Sequence, residues 1–227
     1  IYRCPWQPVV VVLLNSFGED DMAKEQMDDL YKMMFNPETS PTGVTNGAGV
    51  LVKTHACTDA SRFKHCLEKV SNRINELETE NIQLIVVHGL HGNEEDKLVF
   101  KTGCVDLVSY MGLLKNFVKE VSKITTTIRW VLQACCANVP ECLKLAQEHV
   151  GFEMLVFTRS VRYEDFFTMV PHIIAQLVLT NDSFLDVVSE EASRGAFKRS
   201  GMRVLTSTST GVVSNAVTET EKPSHEA

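Results

Sequence analysis

I-Q-L-I-V-V-H-G-L-H-G (Ile82 to Gly92) and, one helix later, I-R-W-V-L-Q-A-C-C-A (Ile128 to Ala137) are the two stretches that decide this fold. Ile82 to Val87 is an apolar, β-branched run of strand length, closed by His88 and Gly89. Ile128 to Leu132 is a second such run, followed by Gln133, Ala134, Cys135 and Cys136. Between them Asp106 to Lys123 reads as an amphipathic helix, with Lys97 to Phe100 as a short hairpin arm. Two strands joined through a helix run parallel and are expected to be neighbours. Their carboxyl ends then share one sheet edge, where ligands bind in open α/β sheets.

The same alternation extends in both directions. Pro8 to Leu14 is a continuous apolar run, fit for a central strand buried on both faces. Met22 to Phe35 has helical spacing, 36–49 is a loop rich in Pro, Thr, Asn and Gly, and Val50 to Thr54 is a short strand. Thr58 to Glu78 is a helix that Thr58 or Asp59 can cap. Downstream come a helix at Pro140 to His149, a strand at Met154 to Phe157, helices at Asp165 to Leu179 and Ser183 to Phe197, and a final strand at Met202 to Val213. The expected class is α/β, with a mostly parallel central sheet of about six strands flanked by helices. Residues 1–217 are expected to form one domain, with 218–227 a disordered tail.

Composition excludes several functions. The chain has 227 residues, 44% hydrophobic and 22% charged, so it can build an ordinary core. Lys plus Arg total 22 against 29 Asp plus Glu, a net charge of -7 and a poor match to nucleic acid. The longest apolar run, Val9 to Leu14, is too short to span a bilayer. The seven cysteines include the adjacent pair Cys135 and Cys136 and no C-x-x-C, so no zinc ribbon, metal or cofactor is expected. Their pattern suits reduced thiols in the cytoplasm. The chain opens on Ile1 rather than Met, which leaves open whether a recruitment domain precedes it.

A histidine and a cysteine at adjacent strand ends can form a nucleophilic pair. The imidazole takes the thiol proton and later returns it to a leaving amine. His88 and Cys135 are the expected pair, with backbone N–H groups of Gly89 and Cys135 facing an oxyanion. His91 also precedes a glycine, and Cys136 adjoins Cys135; both rank below.

On these residues the chain resembles the caspase family. The family signature is Q-A-C-[RQG]-G with the histidine about 50 residues upstream; here Gln133-Ala134-Cys135 follows His88 by 47 positions. The flanks agree from about residue 8 to 213. The resemblance implies a caspase-like sandwich, with 8–137 like the large subunit and 138–217 like the small one. It implies His88 as base, Cys135 as nucleophile, and Gln133 lining a pocket for a substrate aspartate. It also implies dimerisation, with an active caspase or a second copy, through the final strand, Val204 to Thr210.

Three departures bear on function. Caspases hold the substrate carboxylate with two arginines. The loop after the first strand, Gly18 to Lys24, has Glu19, Asp20 and Asp21 and no Arg. Arg159 and Arg162, in a shortened segment, are the candidates for the second arginine. Cys136-Ala137 replaces the family's Arg-Gly or Gln-Gly, and Ala restricts the backbone there. No Asp lies between Asp106 and Asp165, so the chain lacks the usual cleavage position between subunits. The expectation is a caspase homologue with a degraded aspartate pocket, regulating apoptosis-type proteolysis by pairing with an active caspase. The alternative is a cysteine endopeptidase of altered specificity.

Overall fold

Side-chain alternation along a strand buried on both sides creates two cores, and β1 (Val9–Asn15) shows how. Val10, Val12 and Leu14 join one apolar cluster, while Val9, Val11 and Leu13 join another. The computed structural model describes residues 8–18, 24–25, 27–29, 50–77, 80–93, 95, 97–135, 138–159, 161–180, 182–193, 202–208 and 211–216. Side chains are described for all of these except 50–52, 135, 192–193, 208 and 211–216. The expected loop around Asp20, the Cys136-Ala137 step and the tail at 218–227 lie outside the described residues.

The central sheet also contains β2 (Val50–Ala56), β3 (Ile82–Gly89), β7 (Thr125–Cys135), β8 (Phe152–Phe157), β9 (Met202–Thr208) and β10 (Gly211–Ala216). Their spatial order is β10-β9-β8-β7-β3-β1-β2. The strands from β2 to β8 are parallel, and β9 and β10 are antiparallel additions. A mostly parallel α/β sheet flanked by helices is thus what the chain forms, and β3 and β7 are neighbours as expected.

The sheet has seven strands rather than about six. The expected final strand from Met202 to Val213 turns back on itself, and β10 pairs along β9 with Val204 opposite Asn215. The edge of β9 expected to meet a partner is therefore occupied by the same chain. A second sheet was legible only as its middle strand: β4 (His91–Gly92), β5 (Lys97–Val99) and β6 (Cys104–Asp106) form an antiparallel ribbon after β3.

One face of the central sheet is covered by α1 (Ala60–Asn75), α2 (Leu107–Val121) and α3 (Val139–Glu148). Asp59 caps α1 by accepting from the Arg62 N–H at 2.8 Å, and Asp106 caps α2 through the Ser109 N–H. The other face is covered by α4 (Tyr163–Leu179) and α5 (Phe184–Ser193). Pro171 lies inside α4, yet the helix continues. Val170, Ile173, Ile174 and Leu177 around it are all fully buried, and that packing outweighs one lost backbone bond. Among the described residues no helix is long and apolar enough to cross a membrane.

Candidate active site

His88 lies on the α1/α2 side of the sheet. Its register partner is Leu132, which packs in that core, and its ring stacks on Phe63 at 4.8 Å. Its solvent exposure is 0%. Nε2 is 2.8 Å from the Ser16 hydroxyl and Nδ1 is 2.8 Å from the Tyr110 hydroxyl. A neutral imidazole has one donor and one acceptor nitrogen, so one hydroxyl accepts from it and the other donates to it. Burial drives its pKa down to about 3. The expected catalytic base is thus a closed, neutral core histidine with both nitrogens engaged. It does not face the sheet edge.

Gly89 is likewise a packing residue. Its carbonyl accepts from the Ser16 N–H at 2.9 Å. A Cβ built on it would sit 2.7 Å from the Phe17 ring and 3.3 Å from Gln133 Oε1. The expected oxyanion donor is therefore buried beneath Phe17 and Gln133.

His91 occupies the open end. After Gly89 the chain leaves the sheet through Leu90, and β4 brings His91 against β7. The ring is half-buried and packs edge-on against Phe17 at 5.1 Å and Tyr163 at 5.7 Å. The Tyr163 hydroxyl lies 3.0 Å from Nδ1 and 3.2 Å from Nε2. Phe17 belongs to the α4/α5 core and Tyr163 packs against it, so His91 is on the sheet face opposite His88. Periodicity missed this because His91 falls in a two-residue strand after a bend. Its one sequence signal is the second His-Gly pair.

Cys135 is the last residue of β7, level with Phe157 of β8. Gln133 is buried, and its Oε1 has no hydrogen-bond partner among the described residues. Arg159 is exposed. Arg162, at the N-cap of α4, makes a two-point ion pair with Asp165, Nε to Oδ2 at 2.9 Å and Nη2 to Oδ1 at 3.2 Å. A cavity of about 230 Å³ adjoins Phe17 at the carboxyl ends of β1 and β2, lined in part by Asn15, Lys24, Asp28, Thr58 and Lys101.

No family model matches the chain, and no curated protein matches it. Among solved structures, the crystal structure of drICE is similar over 89% of each chain, at 12% sequence identity and a TM-score of 0.49.

Proposed function

We propose that this chain is a caspase-type cysteine endopeptidase with Cys135 as nucleophile and His91, not His88, as base, acting at bonds that do not follow aspartate. The observation that carries this is the β3–β7 register. That register makes β3 and β7 neighbours through His88 and Leu132, and β4, which follows β3 and carries His91, packs against β7, the strand that Cys135 ends. The surroundings of the two histidines support it: His91 packs edge-on against Phe17 of the α4/α5 core at the open end of the sheet, whereas His88 is enclosed on the other face.

In this reading His91 removes the Cys135 proton, the thiolate attacks the carbonyl carbon, and the imidazolium protonates the leaving amine. The N–H groups of Gly92 and Cys135 replace those of Gly89 and Cys135 as donors to the oxyanion. The Tyr163 hydroxyl holds the ring in position. Gln133 keeps its expected place beside the substrate side chain, and its unpartnered oxygen favours a donor there.

An aspartate side chain would find poor support. Arg162, 77% exposed, is ion-paired to Asp165 on its own helix, and the loop after β1 is acidic in sequence. A buried carboxylate without an ionic partner costs several kcal/mol, which corresponds to orders of magnitude in rate.

The acidic loop after β1, with Glu19, Asp20 and Asp21 and no Arg, also favours a second reading, a caspase homologue that regulates an active caspase in apoptosis-type proteolysis without cleaving. Its contact would then be the outer edge of β10 rather than Val204 to Thr210. A diverse peptide library separates the two. The first reading expects cleavage that falls about 10²-fold or more in both Cys135→Ala and His91→Ala, and persists in a folded His88→Gln variant. Loss in His88→Gln but not in His91→Ala would reverse the assignment. No cysteine-dependent cleavage leaves the regulatory reading. That reading in turn fails if mixing with an active caspase yields neither a complex nor a change in its rate.

A further inference from the structure

A cavity of about 200 Å³ lies between α1 and the β1–β2 end of the sheet, and no residue of the proposed reaction lines it. β2 is the last strand in the sheet order there. Val12 is level with Lys53 and Leu14 with His55, and level residues of paired strands point to the same face. That face carries the core under α1, to which Val10, Val12, Val70 and Ile74 belong. These four side chains are the apolar floor of the cavity. Its rim comes from Lys53 and His55 on β2 and from Lys69 and Arg73, one turn apart on α1. Lys53, Lys69 and Arg73 are exposed. Long cationic side chains keep their heads in water, so they rim the space without filling it.

The charge around the opening is one-sided. The whole chain has a net charge of -7, yet no carboxylate is among the described residues that line this cavity. Arg73 is paired with Glu76 at 2.8 Å. No ion pair joins Lys53 or Lys69 to a carboxylate among the described residues. Burial first, and then the charges of Lys69 and Lys53, hold the His55 pKa below the ordinary imidazole value. Its neutral ring still has one N–H to donate.

We propose that this cavity binds a medium-chain alkyl carboxylate, with the chain on the Val10, Val12, Val70 and Ile74 floor and the carboxylate among Lys53, Lys69 and His55.

Size, polarity and charge select that ligand together. An apolar cavity of about 150 Å³ accepts benzene, so this one has room for roughly six to eight carbons. The floor offers the chain no polar group, so only the head can be charged. Two unpaired ammonium groups and an N–H at the mouth suit a single carboxylate, which accepts charge-assisted hydrogen bonds from them.

The test is methyl-detected NMR of the folded chain titrated with sodium octanoate at millimolar concentration. The expected result is saturable shifts of the Val10, Val12, Val70 and Ile74 methyl groups. Affinity should rise about fourfold for each methylene from butanoate to octanoate and level off beyond it. Octylammonium, of equal length and opposite charge, should not bind. Lys53→Gln with Lys69→Gln changes only exposed positions and keeps the fold. It should weaken octanoate about fivefold and leave octanol unchanged. Absent or unsaturable shifts at those methyl groups would overturn the proposal, whatever the outcome of the peptidase assays. So would equal binding of octylammonium, or tighter binding of octyl phosphate than of octanoate.

Discussion

His88 and His91 are three positions apart and do opposite things. His88 is sealed between hydroxyls on Ser16 and Tyr110, and remaining neutral is a condition of its packing. The folded pKa, about 3, lies below the ordinary imidazole value of 6.5, so the unfolded chain binds a proton that the folded chain refuses. This contribution to stability is complete above pH 6.5 and is lost as pH falls toward 3, with a limiting slope of about 1.4 kcal/mol per pH unit. Urea unfolding at a series of pH values should show that slope in the native chain and a shallower one in His88→Gln. Equal slopes would mean His88 is not a buried neutral group. Gly151 offers a second residue-scale test. Its φ is +85°, and an added Cβ would meet the Thr126 carbonyl oxygen at 2.7 Å. Neither backbone can yield easily, so Gly151→Ala should cost about 1–3 kcal/mol, read as a lower urea midpoint with unchanged slope. The histidine pair also shows where sequence reasoning stopped. A strand-end histidine looks the same in sequence whether it is capped by distant hydroxyls or open to a substrate.

At the scale of elements, β7 and β8 are joined by an ion pair within a largely apolar sheet. Arg129 is opposite Glu153 in register, and Nε donates to Oε2 at 2.9 Å. Their side chains retain only 10% and 15% exposure. Removing one partner leaves a desolvated charge, so Glu153→Leu alone should cost about 3 kcal/mol or more. The double replacement Arg129→Leu with Glu153→Leu should recover most of that loss, because no charge is then left unpaired. A double-mutant cycle by chemical unfolding checks it, and additive single and double losses would rule the coupling out. Elements were legible wherever periodicity was long. α1, α2 and β1 fall within a few residues of their expected limits. The ribbon of β4 and β6 was not legible, because strands of two and three residues carry no period.

At the scale of the molecule, β10 determines what the sheet presents to partners. It pairs along β9 through six registered positions, so an edge that would template another strand is covered by the chain itself. A chain ending at Thr208 should therefore self-associate more strongly than the full chain, which sedimentation velocity would detect. Unchanged association would show that the β9 edge is not a pairing surface. What the sequence determined by itself is the framework: alternating apolar strands and amphipathic helices, a parallel sheet, and β3 beside β7 because a single helical crossover joins them. It also marked Gln133-Ala134-Cys135 as the end of β7, since the apolar run stops there. Only the tertiary structure decided which histidine is sealed in a core and which lies half-buried after β3. Both strands are buried on both faces, so no polar–apolar alternation marks the phase of either. Phase depends on contacts that are remote in sequence: Ser16, Phe63 and Tyr110 enclose His88, while Phe17 and Tyr163 flank His91.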